Sequence, residues 1–573
     1  MLLNYLCGFC LHIQNQFNIL YKNNLHFIMM KENNYQADTV IIGGGISGIT
    51  TAIELLNANK KVIIIERDLE QNFGGLAKES FGGMFFIDSP QQRFSKIKDT
   101  VTQAKIDWFS FAEFEDDNIW GKKWANEFLE STHKVYDWVR SKKVNFFPVV
   151  HWVERGLDHP GNSAPRFHMV WGTGYGLIAS ILGHLKTHPN CQNLTVYFQH
   201  KAGDFVIENN KIVAIKGVDE KTQTPFICIA DNFVVATGGI NGSMEKVRQH
   251  WHKDWQSPPE IILNGSHQYS DGLIHDKVKD LGGNVTNLDL MWNYAAGIPH
   301  PYPKRDNHGL SLVPPKSALW LNYKGERIGP RPLVTSFDTR YLVTKICEQD
   351  KQYSWQILNE KIAYKELGVS GSEFNEGIKN KNVFSFLYSV LKGNKHLIKS
   401  LEKDSPNYIT ANSIEELVEK MNTLTGTNDV TIEALKQAIG SYDANFERGN
   451  NIWNDEQIRL IKQTRDYKGD KKRTLKPQKL NQKNAYPLIA IREFILSRKS
   501  LGGIQTNLDS QVLKSSNKDG TQDIFENLYA VGEAAGFGGG GSHGKRALEG
   551  TFLATCIFTA QKAANHITQK TKQ

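Results

Sequence analysis

The chain has 573 residues and carries 68 Lys and Arg against 60 Asp and Glu, a formal charge of +8. With 40% hydrophobic and 22% charged residues it has a globular make-up, which excludes collagen-like and intrinsically disordered chains, and no stretch offers the about 20 apolar residues of a membrane-spanning helix. Its cysteines, Cys7, Cys10, Cys191, Cys228, Cys347 and Cys556, are too few and too scattered for a disulfide scaffold, so a reducing, cytoplasmic setting is expected.

Residues 1–35 read as an extension outside the fold. Met1 to Leu20 is apolar, but Asn4, His12, Gln14, Asn15, Gln16 and Asn18 interrupt it, and neither a basic leader nor a small-residue cleavage site flanks it, so no secretory signal is expected. Cys7 and Cys10 form a CxxC without a second ligand pair, and no metal site is expected. Met29 and Met30, just before the first strand, are the expected start of translation.

Thr39 to Ile42 is a short β-branched run, followed at once by Gly43-Gly44-Gly45-Ile46-Ser47-Gly48 and then by Ile46, Ile49, Ile53 and Leu56 at helical spacing. That order predicts strand, tight turn and helix. Val62 to Ile65 predicts a second, fully covered parallel strand, ending in Glu66, 18 residues beyond Gly48. In this setting Gly43 permits the turn, Gly45 lets the backbone approach a pyrophosphate, Gly48 lets helix and strand pack, and Glu66 accepts hydrogen bonds from a ribose. The pyrophosphate would lie at the positive end of the helix. The segment therefore predicts dinucleotide binding.

Gly74-Gly75 and Gly82-Gly83 follow as loop signals. Phe233 to Ala236 predicts a strand ending in Thr237-Gly238-Gly239. Near the C-terminus, Leu528 to Val531 predicts a strand leading into Gly532-Glu533, the glycine run Gly538 to Gly541, His543 and a last helix from about Gly550 to Ala564. Between these parts, a strand is expected at Ser317 to Asn322, with helices near Thr339 to Glu348, Ser413 to Met421 and Ile432 to Phe446. Arg465 to Lys483 concentrates lysine and reads as a solvated loop.

These segments resemble the flavoprotein family of fumarate reductase, succinate dehydrogenase and ketosteroid dehydrogenase. Within it the chain is similar to FAD-binding dehydrogenases grouped near the steroid enzymes, through Asp88 to Arg93, Gly161 to His168, Trp171 to Gly174, Phe337 to Arg340 and Ala547 to Leu553. The resemblance covers Ala37 to Ala564. It implies an α/β fold with a Rossmann-like FAD-binding domain built from discontinuous segments, 36–240 and 498–566, and an inserted α+β capping domain for substrate, 241–497. It also implies that Gly43, Gly45, Gly48, Glu66 and Gly75 hold the ADP half of FAD, and that Ile46, Ser47, Arg67, Gly74, Leu76, Ala77, Ala236, Thr237 and Gly238 are further cofactor-binding residues. Glu533 would bind ribityl hydroxyls, and Gly550, Thr551 and Leu553 would present a helix N-terminus to the flavin, whose reduced form carries negative charge at that edge. Covalent members carry a flavin-linked His shortly before the glycine doublet. Asp68 to Phe73 has none, so non-covalent FAD is expected.

The implied activity is dehydrogenation of a CH–CH group next to a carbonyl, possible substrates including steroid-like ketones, with an unidentified electron acceptor or donor. Hydride leaves one carbon, a proton leaves the other, and an electrophile holds the enolate-like charge. The family's NxxGxR segment stands here as Asn322 to Arg327, but Thr335 occupies the place of the catalytic Arg or Tyr, with Arg331, Arg340 and Tyr341 close by. Arg546 and Arg340 are expected to clamp carbonyl or carboxylate, with Tyr294 and His543 as further polar groups. A fumarate-reductase-like action on unsaturated dicarboxylates and a flavin protein modifying nucleic acid are the alternatives. Trp292, Tyr294 and Trp320 favour an apolar substrate, and only the basic segment favours nucleic acid.

Overall fold

A computed structural model describes residues 33–209, 211–449, 452–515 and 522–570. The expectations for Cys7, Cys10, Met29 and Met30 lie outside these residues.

The first strand, β1 (Asn33–Ile42), turns into helix α1 (Ile46–Asn57), which returns to β2 (Val62–Ile65). Both strands bury their side chains on two faces. Val40, Ile42, Ile63 and Ile65 enter one apolar core, while Ile41, Val62 and Ile64 enter another together with α1, as a period of two requires in a sheet covered on both sides. The strand starts earlier than the β-branched run indicates, because Asn33 to Ala37 pair with Phe226 to Ala230 and Tyr35 stacks on Tyr197 at 3.9 Å.

A crossing helix α2 (Val101–Phe111) and strand β3 (Phe167–Val170) precede the sheet's next members, β4 (Leu194–Tyr197) and β5 (Thr224–Val235). Arg166, fully buried, ties these parts together through Asp99 at 2.7 Å and Asp107 at 2.5 Å.

A second, largely antiparallel sheet is formed by β6 (Met291–Pro299), β7 (Gly309–Val313), β8 (Tyr353–Asn359) and β9 (Leu488–Ser500), with shorter strands at its edges. Helix α3 (Thr339–Cys347) packs in its core, and α4 (Val383–Lys392) lies at the surface. The chain then re-enters the first sheet as β10 (Ile524–Ala530), which pairs in parallel with β5, and ends in α5 (Thr551–Lys570) packed with α1. The crossing between the sheets is fastened at one place: Ile240 N–H donates to Ser500 Oγ (2.9 Å), Ser500 Oγ donates to Asn241 (2.6 Å), and Ser500 N–H donates to Glu533 (3.0 Å).

The basic segment 465–483 is not a free loop. Asp470 holds Arg155 and His151, and Tyr467 donates to the Val150 carbonyl, so ion pairing overrides the charge pattern, although Lys468, Lys471, Lys472 and Lys476 remain exposed. Among the described residues, no helix is long and apolar enough to cross a membrane.

Candidate functional site

Two cavities meet in the middle of the molecule. The first runs from the β1–α1 turn to the start of α5 and encloses about 1590 Å³ of empty space, its mouth included. The second, about 1420 Å³ on the same measure, lies between β3 and the second sheet. Phe81, Phe167, Tyr294, Ser370 and Glu549 line both.

The first cavity is shaped by glycine. Gly43 has φ of +103°, and a Cβ there would lie 2.5 Å from the Ala236 carbonyl oxygen, so only glycine fits. A Cβ on Gly48 would meet the Gly43 carbonyl oxygen at 2.1 Å, which is the close helix–strand packing expected of it. Gly45 differs: it lines the cavity, and a Cβ there would meet nothing within 4 Å. The space it leaves opens beside the N-terminus of α1, where unpaired N–H groups favour phosphate. These residues fit a dinucleotide.

Ile46, Ser47, Glu66, Arg67, Gly74, Gly75, Leu76, Ala77, Ala236, Thr237, Gly238, Glu533, Gly550 and Leu553 also line this cavity. Gly48 and Thr551 do not; Thr551 opens α5 and donates its hydroxyl to the Leu548 carbonyl (2.6 Å). The Glu66 carboxylate accepts from Gly44 N–H (2.6 Å) and Asp68 N–H (2.7 Å), bracing the turn. Arg67 is held by Glu220 and Asp271, each at 3.0 Å, over the Tyr269 ring. Burial pushes the Glu533 carboxyl up to about 7.

Three of the expected catalytic groups stand elsewhere. The Arg546 guanidinium is bound to Asp338, with Glu113 at 3.3 Å. Arg340 pairs with Asp254 at 3.3 Å over the Trp255 ring. Neither lines either of these two cavities. Local carboxylates neutralise both, and Asp338 also caps α3 by accepting from Tyr341 N–H (2.9 Å). His543 is fully buried, stacks on Trp108 and shares a hydrogen bond with Thr551 Oγ1 (2.8 Å); burial pulls it down to about 3, which keeps it neutral.

Tyr294 lies at the junction. Its hydroxyl donates to Glu549 Oε1 (2.7 Å), which also accepts from Trp292 Nε1 (2.8 Å), and Lys499 Nζ donates to the Tyr294 hydroxyl at 3.2 Å. Burial and the Glu549 charge hold the phenol well above its ordinary value, while burial pulls Lys499 down to about 8. In the second cavity Glu154 is 1% exposed, adopts φ of +51°, and accepts from Thr339 N–H at 3.1 Å. Burial, aided by the Glu549 charge, pushes its carboxyl up to about 8, so it is protonated at neutral pH. A non-glycine residue in the left-handed region is strained, and the Glu154 carbonyl is fixed by Asn162 N–H at 2.7 Å. Trp152, Phe167 and Trp320 add apolar wall, while Thr335, at the expected catalytic place, lines the cavity and donates to the Pro314 carbonyl (3.1 Å).

Glu154, Lys499 and the role of Glu549 are absent from the sequence-based expectations. The legible signal for Lys499 is a pair of basic residues, Arg498-Lys499, directly after the apolar run Phe494 to Leu496 and Ser497.

The FAD binding domain family matches residues 38–553. A KsdD-like steroid dehydrogenase of Mycolicibacterium smegmatis is 36% identical over 539 residues, spanning 90% of this chain and 96% of the relative. The 3-ketosteroid-Δ4-(5α)-dehydrogenase of Rhodococcus jostii, solved with 4-androstene-3,17-dione, aligns with TM-score 0.61 at 16% identity, over 94% of this chain and 98% of that one. A flavocytochrome c3 fumarate reductase aligns with TM-score 0.66 at 16% identity, over 96% of this chain and 81% of that one. The fold is the mixed α/β flavoprotein fold of these structures.

Proposed function

We propose, from the premise that the chain belongs to the FAD binding domain family, that the first cavity holds FAD and the second a flat, apolar ketone such as a steroid. The chain is an FAD-dependent oxidoreductase that dehydrogenates a CH–CH group next to a ketone. In this reading the first sheet, with its parallel strands drawn from both ends of the chain, is a Rossmann-like domain and the insertion of about 241–497 is its cap. FAD, when bound, supplies a two-electron acceptor for hydride.

The chain's own groups supply the rest. Protonated Glu154 donates a hydrogen bond to the ketone oxygen and holds the charge that develops there. The Tyr294 hydroxyl, polarised by Glu549 and steadied by Lys499, takes the proton from the carbon beside the ketone and passes its own to Glu549. Because Tyr294 and Glu549 line both cavities, that proton transfer would take place beside the cavity assigned to FAD. Non-covalent retention of FAD follows from the absence of His in Asp68 to Phe73.

The observation that carries this reading is the Tyr294–Glu549 pair lining both cavities. The second cavity's make-up disfavours a dicarboxylate: even with Glu154 protonated, the acidic side chains Glu366, Asp470 and Glu549 in its wall outnumber Lys316 and Arg473. Anaerobic mixing tests it: a saturated 3-ketosteroid bleaches the flavin band of the FAD-loaded enzyme, and fumarate fails to restore the band of the reduced enzyme. Recovery with fumarate and no bleaching with ketosteroids would reverse the assignment.

A further inference from the structure

Helix α4 turns a wide apolar face to solvent. Val383, Phe384, Leu387, Tyr388 and Leu391 are 52, 87, 49, 58 and 73% exposed, and at 100° per residue they fall on one stripe of about 140°. The opposite side holds the helix down: Phe386 packs on Phe147 at 5.1 Å and on Trp171 at 5.8 Å, and Lys365 Nζ donates to the Val390 carbonyl (2.6 Å). The helix is therefore anchored with its apolar stripe outward. Isolated exposed apolar side chains are ordinary, but a contiguous stripe marks a contact surface.

Charge identifies the contact. From Glu376 to Glu402 the chain contains no Asp or Glu between those two residues, and it carries Lys379, Lys381, Lys392, Lys395 and Lys399 on both flanks of the stripe. Lys381, Lys392, Lys395 and Lys399 are exposed. A second copy docked face to face would set lysine against lysine. An apolar stripe preceded and followed in the chain by exposed lysines and by no acidic residue matches a bilayer surface of anionic lipid, where apolar side chains enter the acyl boundary and ammonium groups meet the phosphates.

We propose that the outward face of α4 docks this protein on an anionic lipid bilayer. The helix lies in the interface plane, neither spanning the membrane nor needing to. A third cavity opens beneath it, lined by Ser385, Phe386, Tyr388, Ser389 and Val390, and shares Glu366, Gly368, Asn375 and Arg473 with the substrate cavity. Docking thus brings the membrane next to the cavity chain that ends at Tyr294. The docking itself does not depend on the substrate assigned above.

The test is co-sedimentation of the FAD-loaded full chain with vesicles of equal parts phosphatidylcholine and phosphatidylglycerol, beside vesicles of phosphatidylcholine alone. The wild type pellets with the anionic vesicles and is released by salt. The double variant Phe384→Ser, Leu391→Ser loses about tenfold or more of this binding while keeping its flavin spectrum, and Lys392→Glu with Lys395→Glu does the same. A wild type that stays in the supernatant, or double variants that pellet equally, would overturn the proposal. So would self-association, seen by sedimentation velocity and abolished by Phe384→Ser, Leu391→Ser without any vesicle binding, since that outcome gives the face to a second copy.

Discussion

In the proposed mechanism Glu154 and Tyr294 carry opposite duties, and their surroundings suit each to its own. Burial keeps Glu154 protonated up to about 8, so it can donate to a ketone at neutral pH. The sign of the pH effect follows: turnover falls as pH rises through about 8, because the donor is lost, and Glu154→Gln, which retains an N–H donor, flattens that limb. The same raised value makes the protonated form a source of stability that is complete below the ordinary carboxyl value of 4.5 and is lost as pH rises through about 8. The melting temperature of the wild type is therefore expected to fall more between pH 5 and 9 than that of Glu154→Gln. Tyr294→Phe removes the proton acceptor while keeping the ring, and kcat is expected to drop about a hundredfold or more, with flavin content unchanged. An unaltered kcat would exclude the tyrosine from the chemistry.

At the scale of elements, two glycines two residues apart separate folding from binding. Gly43→Ala sets a Cβ against the Ala236 backbone and is expected to lower the melting temperature of the apoprotein. Gly45→Ala meets only open cavity, so its apoprotein should melt like the wild type yet bind FAD about tenfold more weakly, a difference of about 1.4 kcal/mol that fluorescence titration resolves. Arg166→Ala leaves Asp99 and Asp107 buried without their cation, and a loss of about 3–5 kcal/mol in stability is expected from denaturant unfolding. The turn around Gly43 was legible in the chain because strand, glycines, helix and Glu66 are contiguous and each has a local mechanical reason. The arginines were not: Arg340 and Arg546 are drawn to Asp254 and Asp338, partners that no local pattern announces.

Over the whole molecule, local pattern gave the separate strands at Thr39 to Ile42, Val62 to Ile65, Phe233 to Ala236 and Leu528 to Val531, whereas their assembly into one sheet from both ends of the chain was implied only by the family resemblance. The proposed proton-transfer group could not be read the same way. Glu154, Tyr294, Lys499 and Glu549 come from four distant segments: the pairing of β6 with β9 sets Tyr294 beside Lys499, the chain before α5 adds Glu549, and Thr339 at the start of α3 holds Glu154 in the second cavity. The central claim, that two remote parts of the chain close on one non-covalently held flavin, is tested most directly by titrating apoprotein with FAD and then precipitating the complex with acid. Saturation at one FAD per chain, with the flavin released into the supernatant, is the predicted result; apoprotein that takes up no FAD, or flavin that stays on the polypeptide after precipitation, would contradict it.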